Sequence, residues 1–582
     1  MNFDAVLRHL GEFGTYQKRL CTLLWLPGIT TGMRMVVSAF IQFIPEHRCV
    51  IPGLNSDTYA IQSHDHARLI NESIPFKIVG GRIEYDPCRV YIRDPGSKNN
   101  DTWNINHTTL ATEACNKWVY DSSVFVSTAV SQYDMVCDNT LDRTNAQSLF
   151  MAGFLVGVFV IGAFSDRFGR KTALMVSLLV NLICGFSLNY LPEHISYTMF
   201  RFLLGASSSG IFTTSFVMSV EIVGASKRVF VGVFIQYTFA AGELLICAVA
   251  YFLRHWHHIE IVCTAAVAIF LSYWWLIPES PRWLVTKGRT QEAEVIVRKM
   301  AKVNKVTVPE HLFAEKMEEE EKGSRSQIKD FLKLFTRRVL LIRTLIIFFN
   351  WFVISMLYYG VSLNTRNLGG SNFYLTFAIS GLVEFPGIFL CNLFMDRWGR
   401  KRLLCVVNVV GGTCCLLTIF TILYASESLQ WMTIILAMIG KMGSAGCFAN
   451  VYVFSSELFP TVVRNVAVGA SSSWARAGAM MAPYIAYAGE ITGGDFGRAL
   501  PLLVFGSVTL AAGLLALVLP ETLNKDLPET IEEAEHFGRK SISTEDEEVM
   551  GGLNHETNNS VAMDTKCGSD RHEKLLANGN MD

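Results

Sequence analysis

A six-residue signature occurs twice in this chain, as Asp166-Arg-Phe-Gly-Arg-Lys171 and as Asp396-Arg-Trp-Gly-Arg-Lys401. Each copy stands where one apolar segment ends and the next begins. Two further marks recur in the same order, Glu221 and Arg228 as Glu457 and Arg464, and Pro278-Glu-Ser as Pro520-Glu-Thr. Self-similarity of this kind is typical of a duplicated architecture. The chain is therefore expected to fold as two homologous halves with one orientation, as parallel repeats do.

The composition indicates a membrane protein, because the mean hydropathy is +0.31 and only 17% of the residues are charged. Apolar stretches of about 20 residues are long enough to cross the hydrocarbon. Twelve such stretches are predicted, near residues 20 to 43, 145 to 165, 172 to 191, 196 to 220, 229 to 252, 259 to 278, 342 to 363, 372 to 394, 402 to 424, 431 to 454, 466 to 488 and 499 to 519. We expect an all-α membrane protein with twelve transmembrane helices in two six-helix halves.

The placement of basic residues predicts the orientation. Alternate short loops, such as those at Arg167 and Arg397, carry lysine and arginine, and the positive-inside rule places these loops and both termini in the cytoplasm. The first span is expected to be a retained anchor. The predicted segments are a cytoplasmic N-terminus (1–19), the first span (20–43), an extracellular loop (44–144), spans two to six (145–278), a cytoplasmic linker (279–341), spans seven to twelve (342–519) and a cytoplasmic tail (520–582).

The long loop after the first span has the marks of an oxidising compartment. It contains glycosylation patterns at Asn71, Asn100 and Asn106. It also contains four cysteines, whose pairing the spacing leaves open: Cys49, Cys88, Cys115 and Cys137. This loop is expected to be a glycosylated, disulfide-containing extracellular domain.

Charged residues inside a membrane are costly and mark functional positions. Five are identified within the predicted spans: Arg34, Glu243, Glu384, Lys441 and Arg476. Arg476 is a candidate to hold a carboxylate with its planar guanidinium, and the alternative is an internal salt bridge. Glu384 stands beside a helix-kinking proline and is a candidate for a cationic substrate, a coupling ion or a proton. The alternative is an ion pair with Lys441 or Arg476.

Aromatic residues on the fifth and seventh spans are candidates for holding an ammonium group by cation–π attraction. They are Tyr237, Trp351, Tyr358 and Tyr359. Simple packing or an interfacial belt is the alternative for each ring.

The signature loops are predicted to act as gates, because aspartate and arginine can form ion pairs in one conformation that break in another. The proposed gate residues are Asp166, Arg167, Arg170, Glu221, Arg228, Asp396, Arg400, Glu457 and Arg464. The run from His255 to His258 lacks the carboxylate or cysteine partners of a metal site. No metal, no cofactor and no enzyme site are expected, and sodium or a proton is left open as a coupling ion.

Several segments together resemble the major facilitator superfamily, and within it the organic cation/carnitine transporter family. They are Pro45-Glu-His-Arg-Cys49, Val136-Cys-Asp138, Asp166 to Lys171, Pro278-Glu-Ser-Pro-Arg-Trp-Leu284 and Glu457-Leu-Phe-Pro-Thr-Val-Val-Arg-Asn465. The resemblance implies a central cavity lined by Trp351, Tyr358 and Glu384. It also implies that arginine at 476 matches carnitine and organic-anion members, whereas cation members have aspartate there. Asn392 replaces the first glycine of the second signature, and Glu243 stands where relatives look apolar.

These features predict a plasma-membrane transporter of a small organic cation or zwitterion such as carnitine, working by alternating access as a monomer in the lipid bilayer, with no nucleic-acid partner. A sodium-independent, electrogenic carrier of organic cations is the alternative. A membrane receptor that keeps the fold without transport is the alternative from another class. No phosphate-binding loop of the Gly-x4-Gly-Lys type occurs, so gradients are expected to drive the flux.

Overall fold

The computed structural model describes residues 3–51, 53–54, 57–79, 82–92, 111–307, 331–368, 372–424 and 429–538. The predicted glycosylation sites Asn100 and Asn106 lie outside these ranges. The helices are α1 (Phe3–His9), α2 (Thr15–Val36), α3 (Ser38–Ile41), α4 (His64–Ser73), α5 (Ala129–Gln132), α6 (Thr140–Phe168), α7 (Arg170–Ser187), α8 (His194–Glu221), α9 (Arg228–Leu253), α10 (Trp256–Ala268), α11 (Tyr273–Leu276), α12 (Pro281–Thr286), α13 (Thr290–Asn304), α14 (Arg338–Leu363), α15 (Phe373–Leu382), α16 (Glu384–Trp398), α17 (Arg400–Tyr424), α18 (Gln430–Leu458), α19 (Arg464–Thr492), α20 (Gly494–Ala516) and α21 (Ile531–His536).

In the part of the chain that the structure describes, eleven helical segments are long and apolar enough to cross a membrane. Three of them contain two α-helices each, namely α2 with α3, α10 with α11 and α15 with α16. The remaining span, the eleventh of the twelve predicted, corresponds to α19, which has 29 residues but is less apolar, since Ser471, Ser472, Ser473 and Arg476 lie within it. The predicted fold of twelve membrane helices is confirmed.

Glycines let helices of the same half cross in direct backbone contact. A Cβ atom at Gly153 of α6 would stand 2.0 Å from the carbonyl oxygen of Phe202 on α8. The second half has a contact of the same kind between a different pair of helices, because a Cβ at Gly478 of α19 would stand 2.0 Å from the carbonyl oxygen of Phe352 on α14. Only glycine allows this approach. These crossings fix the walls of each half.

Each signature loop ends one helix and begins the next with a glycine in a left-handed conformation. Gly169 has φ of +106°, and its counterpart Gly399 has φ of +93°. The carboxylate of Glu279 accepts hydrogen bonds from the backbone N–H groups of Arg170 (2.9 Å) and Lys171 (3.1 Å) at the start of α7. A carboxylate at a helix N-terminus satisfies free N–H groups and complements the helix dipole. Glu521 does the same for Arg400 (2.9 Å) at the start of α17.

The loop between α3 and α6 forms a small disulfide-linked domain, called here the disulfide domain. Its described strands are β1 (His47–Cys49), β2 (Phe76–Val79), β3 (Arg82–Tyr85), β4 (Arg89–Tyr91), β5 (Thr112–Ala114) and β6 (Trp118–Tyr120). They pair antiparallel as β1 with β6, β2 with β3 and β4 with β5. Disulfides join Cys49 to Cys115 and Cys88 to Cys137. All four cysteines of the loop are therefore paired.

Inside the disulfide domain a buried carboxylate organises the turn after β1. Asp57 accepts hydrogen bonds from Arg48 (2.6 Å), from the backbone N–H of Ile51 (2.8 Å) and from the ring of His66 (3.1 Å). Burial acts to raise the pKa of Asp57, but these donors act more strongly in the other direction, so the pKa lies below its ordinary value. At the predicted glycosylation site Asn71, the side-chain oxygen accepts a hydrogen bond from Tyr85 at 2.7 Å.

Candidate substrate-binding site

A cavity lies between the two halves of the bundle, and its empty space, including the part that is open to solvent, is about 780 Å³. Among the described lining residues, those of the first half are uncharged and belong to α2, α6, α8 and α9, whereas the second half contributes the two charged groups, Glu384 and Arg476. Seven of the described lining residues are aromatic: Phe154, Phe212, Phe239, Tyr358, Tyr359, Phe448 and Tyr452. A cavity with an aromatic wall and a few converging charged groups is the usual form of a small-molecule site.

Glu384 reaches the cavity because the predicted eighth span is broken. The helix stops at Leu382, and α16 begins at Glu384, two residues before Pro386, whose ring is incompatible with an unbroken helix. The Glu384 carboxylate lies 2.8 Å from the ammonium of Lys441 and 2.8 Å from the hydroxyl of Tyr358. Glu384 thus forms the ion pair with Lys441 that the sequence analysis gave as an alternative to a binding role.

Arg476 projects from the middle of α19 into the same cavity. Its Nη1 donates to the carbonyl and the hydroxyl of Ser472, at 3.2 and 3.0 Å, and its guanidinium lies 5.3 Å from the centre of the Phe154 ring. Its buried Nε has no hydrogen-bond partner. Among the described residues, no carboxylate lies within ion-pair distance of Arg476. The guanidinium of this cavity-lining residue therefore retains a hydrogen-bond donor without a partner.

The other candidate residues lie behind or beside the cavity wall. Trp351 is fully buried, donates to Ser455 at 2.9 Å, and packs edge-on against Tyr452, so it supports a wall residue. Tyr237 packs near Phe385, with 6.0 Å between ring centres. Glu243 and Lys441 form a buried ion pair at 2.9 Å behind Glu384. Of the predicted binding residues, the structure brings Arg476, Glu384, Tyr358 and Tyr359 to the cavity wall.

Arg34 belongs to a separate network within the first half. It forms an ion pair with Glu260 and donates to Thr264 at 2.5 Å. The set of five intramembrane charges was incomplete, because Glu260 and Arg201 are also fully buried in this half. Arg201 contacts Ser38 and lies 4.8 Å from the centre of the Phe150 ring. Both residues lie inside the predicted spans, so their charge within an apolar segment is the signal that could have identified them from the sequence.

The gate residues form ion pairs within each half in this conformation. Arg170 contacts Asp166 at 2.8 Å and Glu221 at 3.2 Å. Arg400 contacts Asp396 at 3.2 Å and Glu457 at 3.1 Å. Glu221 and Glu457 thus each form an ion pair with the second arginine of the signature in the same half. Of the other proposed gate residues, Arg167 lies over the ring of Phe168, Arg464 donates to the carbonyl of Phe459, and Arg228 begins α9.

Besides the contacts of Glu243 with Lys441 and Tyr358, several polar contacts between the halves lie near the disulfide domain. Arg143, in the first turn of α6 after that domain, forms an ion pair with Glu490 near the end of α19 at 2.7 Å. One to two turns further along α6, Ser148 donates to the carbonyl of Met480 at 3.0 Å. Tyr374 of α15 accepts a hydrogen bond from Cys247 of α9 through its carbonyl, at 3.3 Å. These contacts join the halves at this end of the bundle.

One group of described residues has the spacing of metal ligands, namely His47, Cys88 and Cys137. The two cysteines are joined to each other in a disulfide, so neither is available as the thiolate that binds a metal. The group is therefore a structural part of the disulfide domain.

Comparison with known proteins identifies the family. The model of the sugar (and other) transporter family matches residues 98–534 of this chain. The chain belongs to this family of the major facilitator superfamily, in its organic cation/carnitine transporter branch. The organic cation transporter protein of Drosophila melanogaster is 41% identical over 95% of this chain and 98% of its own length. Human solute carrier family 22 member 2 is 34% identical over 92% of this chain and 95% of its own length.

A third relative, human organic cation/carnitine transporter 2, is 32% identical over 91% of this chain and 94% of its own length. The fold matches that of the xylose transporter XylE from E. coli in its inward open conformation, with a TM-score of 0.57 and 16% identity over 90% of this chain and 100% of that one. The protein is therefore a multi-pass membrane transporter and not an enzyme.

Proposed function

We propose that this transporter moves small organic cations and zwitterions of the carnitine type across the plasma membrane by alternating access. The observation that carries the proposal is the pair of opposite charges in one aromatic cavity, the Glu384 carboxylate and the Arg476 guanidinium. A zwitterion has a cationic nitrogen at one end and a carboxylate at the other. The cavity offers a complementary group for each.

The cationic end fits the side of the cavity near Glu384. Tyr358, Tyr359 and Tyr452 line that wall, and aromatic faces attract quaternary ammonium groups that have few hydrogen bonds to offer. The names of the relatives as organic cation transporters support this assignment. Glu384 then supplies the countercharge for the bound nitrogen.

The carboxylate end fits Arg476. Its Nε lacks a partner, and its Nη1 is shared only between two oxygens of Ser472. A guanidinium fork binds a carboxylate through two parallel hydrogen bonds. The stacking of the guanidinium near Phe154 fixes the plane of this fork.

The contacts between the halves support an inward-facing state. The halves are joined near the disulfide domain by the pair of Arg143 and Glu490, whereas the signature ion pairs stay within each half. The basic signature loops belong in the cytoplasm by the positive-inside rule. Rocking of the halves about the midplane, as in related folds, would break the first contact and open the cavity to the outside.

A second candidate is a uniporter of organic cations that does not bind carboxylates. The observation that favours it is that the Arg476 guanidinium already donates hydrogen bonds to the carbonyl and the hydroxyl of Ser472 on its own helix. In this case Arg476 only braces α19 through Ser472.

The two candidates differ in the effect of Arg476→Gln. We expect this variant to lose carnitine uptake about 10- to 100-fold, because a charged hydrogen bond contributes about 1.5–3 kcal/mol. Uptake of tetraethylammonium, which has no carboxylate, should change little. The measurement is saturable uptake of both labelled compounds, with and without sodium, in cells that express equal surface amounts of each variant.

The matched control is Arg498→Gln, which removes an arginine from the exposed pair with Asp495. It should leave both uptakes unchanged. Equal loss of carnitine and tetraethylammonium uptake in Arg476→Gln would contradict the carboxylate role and favour the uniporter.

A further inference from the structure

Four side chains from both halves meet beside the cavity and are called here the carboxylate cluster: Glu243, Tyr358, Glu384 and Lys441. The Tyr358 hydroxyl lies 2.7 Å from Glu243 and 2.8 Å from Glu384. The Lys441 ammonium lies 2.9 Å from Glu243, 2.8 Å from Glu384 and 2.8 Å from the hydroxyl of Ser380. The three ionisable members besides tyrosine have side chains no more than 3% exposed.

The Tyr358 hydroxyl has fewer hydrogens than its short contacts with carboxylate oxygens require. A tyrosine hydroxyl carries one hydrogen and can donate one hydrogen bond. Tyr358 nevertheless makes two short contacts, each with a carboxylate oxygen that has no hydrogen of its own when ionised. Lys441 cannot supply the missing hydrogen, because its three donors are already directed at Glu243, Glu384 and Ser380. The second contact of Tyr358 needs a hydrogen on one of the two carboxyl groups.

The charge balance leads to the same state. Two carboxylates and one ammonium leave a net charge of one negative unit in a site shielded from water, and an unpaired buried charge is expensive. Two acidic groups that share a site do not both ionise readily. One bound proton makes the cluster neutral. Among the described residues that line the cavity beside it, the other charged and titratable groups are Tyr359 on α14, Tyr452 on α18 and Arg476 on α19.

We propose that the carboxylate cluster holds one proton in the empty transporter and exchanges it for a monovalent organic cation. This inference rests on the proposed function, since it uses the same cavity. When the cation reaches Glu384, the carboxyl O–H bond breaks heterolytically, both electrons stay on the carboxylate, and the proton leaves to water. The cluster keeps its charge because one positive unit replaces another. Transport of such a cation is then an electroneutral proton/cation exchange.

The arrangement across the halves gives the exchange a structural basis. Glu243 belongs to α9 of the first half, whereas the other three members belong to the second half. Only Glu384 and Tyr358 of the four line the cavity, so an entering cation meets Glu384 and not Glu243. Glu243 and Lys441 then act as positioning residues that set the charge of the site.

The test uses the full chain in proteoliposomes that contain a pH-sensitive dye, with the membrane potential clamped by potassium and valinomycin. We expect one proton to leave for each tetraethylammonium ion that enters. Uptake should speed up when the interior is acidic and should not respond to the potential. In binding measurements, the apparent affinity for tetraethylammonium should rise by up to about tenfold per pH unit while the proton is being displaced.

Uptake of tetraethylammonium that follows the potential and moves no proton would overturn the exchange while leaving the proposed function intact. No uptake under any gradient would overturn the proposed function and the exchange with it. These two failures are therefore distinguishable.

A variant locates the proton. In Glu243→Gln the amide N–H can donate to Tyr358 permanently, and the cluster is neutral without a bound proton. We expect this variant to lose the response to the pH gradient and the pH dependence of binding, and its uptake to become dependent on the potential. Glu292→Gln, at an exposed position of α13, is the control that keeps the exchange. Proton coupling that survives in Glu243→Gln would overturn the assignment to this cluster.

Discussion

At the scale of single residues, Lys441 holds two buried carboxylates in place. It lies between Glu243 and Glu384, and its side chain is completely enclosed. The cluster has no other basic group within ion-pair distance among the described residues. The lysine therefore compensates for acidic groups that the apolar interior would otherwise destabilise.

Replacement of Lys441 tests its contribution to the stability of the fold. We expect Lys441→Met to lower the free energy of unfolding by about 3–5 kcal/mol, since removing one partner of a buried pair leaves an uncompensated charge. The measurement is thermal unfolding of the purified protein in detergent. The double variant Lys441→Met with Glu243→Gln should recover part of the loss. An unchanged melting temperature in the single variant would show that the carboxylates do not need the lysine.

The sequence identified most of these charges and offered the pair of Glu384 with Lys441 as an alternative, but it did not indicate the other partners. An acidic or basic residue inside an apolar segment is visible by composition alone, as for Glu243 and Lys441. The pairing of those two joins positions 198 apart in the chain, and that of Arg34 with Glu260 joins positions 226 apart. Helical periodicity relates neighbours three or four residues apart. Pairs between distant helices depend on how the bundle packs, which no local pattern reports.

At the scale of elements, helix crossings depend on single glycines. The two helices α6 and α8 touch at Gly153 and again at Gly205, where a Cβ would stand 2.0 Å from the carbonyl oxygen of Phe150. Gly162 lies on the same helix α6 with nothing within 4 Å of a Cβ placed there. Helix α6 therefore contains one glycine where a side chain would clash, Gly153, and one where a side chain has room, Gly162.

These two positions make a matched pair. We expect Gly153→Ala to reduce the free energy of unfolding by about 1–3 kcal/mol, because overpacking forces the backbones apart. Gly162→Ala should instead be neutral or stabilise by up to about 1 kcal/mol, since alanine favours the helix. Melting temperatures of both variants in detergent check this. Equal effects of the two substitutions would mean that α6 and α8 do not meet at Gly153.

Element boundaries followed from local chemistry where that chemistry was strong. Pro386 indicated a kink, and the structure breaks the helix at Val383. The apolar character of α19 was diluted by serines and Arg476, yet the duplication still required a span there. The pairing of the four loop cysteines was not predictable, because spacing does not determine which side chains meet.

At the scale of the whole molecule, the pair of Arg143 and Glu490 helps to select the conformation. It joins α6 of one half to α19 of the other, and the two side chains are 11% and 26% exposed. The duplicated signature predicted two halves and their common orientation. It did not predict which end would be closed, since both states use the same sequence and differ by a rigid movement.

Charge reversal tests this contact. We expect Arg143→Glu to shift the population toward the state open near the disulfide domain by about fivefold, the ratio that corresponds to about 1 kcal/mol. The measurement is labelling of Ser355→Cys, a cavity position, by a membrane-impermeant maleimide added from that side. Combining Arg143→Glu with Glu490→Arg should restore the original rate. Unchanged labelling in the single variant would exclude the pair as a latch.

The two glutamates that cap α7 and α17, Glu279 and Glu521, each belong to the same half of the chain as the helix that they cap. Glu279 completes the signature of the first half, and Glu521 completes that of the second. Each cap reaches back more than a hundred positions, yet neither crosses from one repeat into the other. A polypeptide interrupted between residues 307 and 331 would therefore retain a complete cap in both pieces. The halves are suited to separate synthesis and to joining again as two chains in one bilayer.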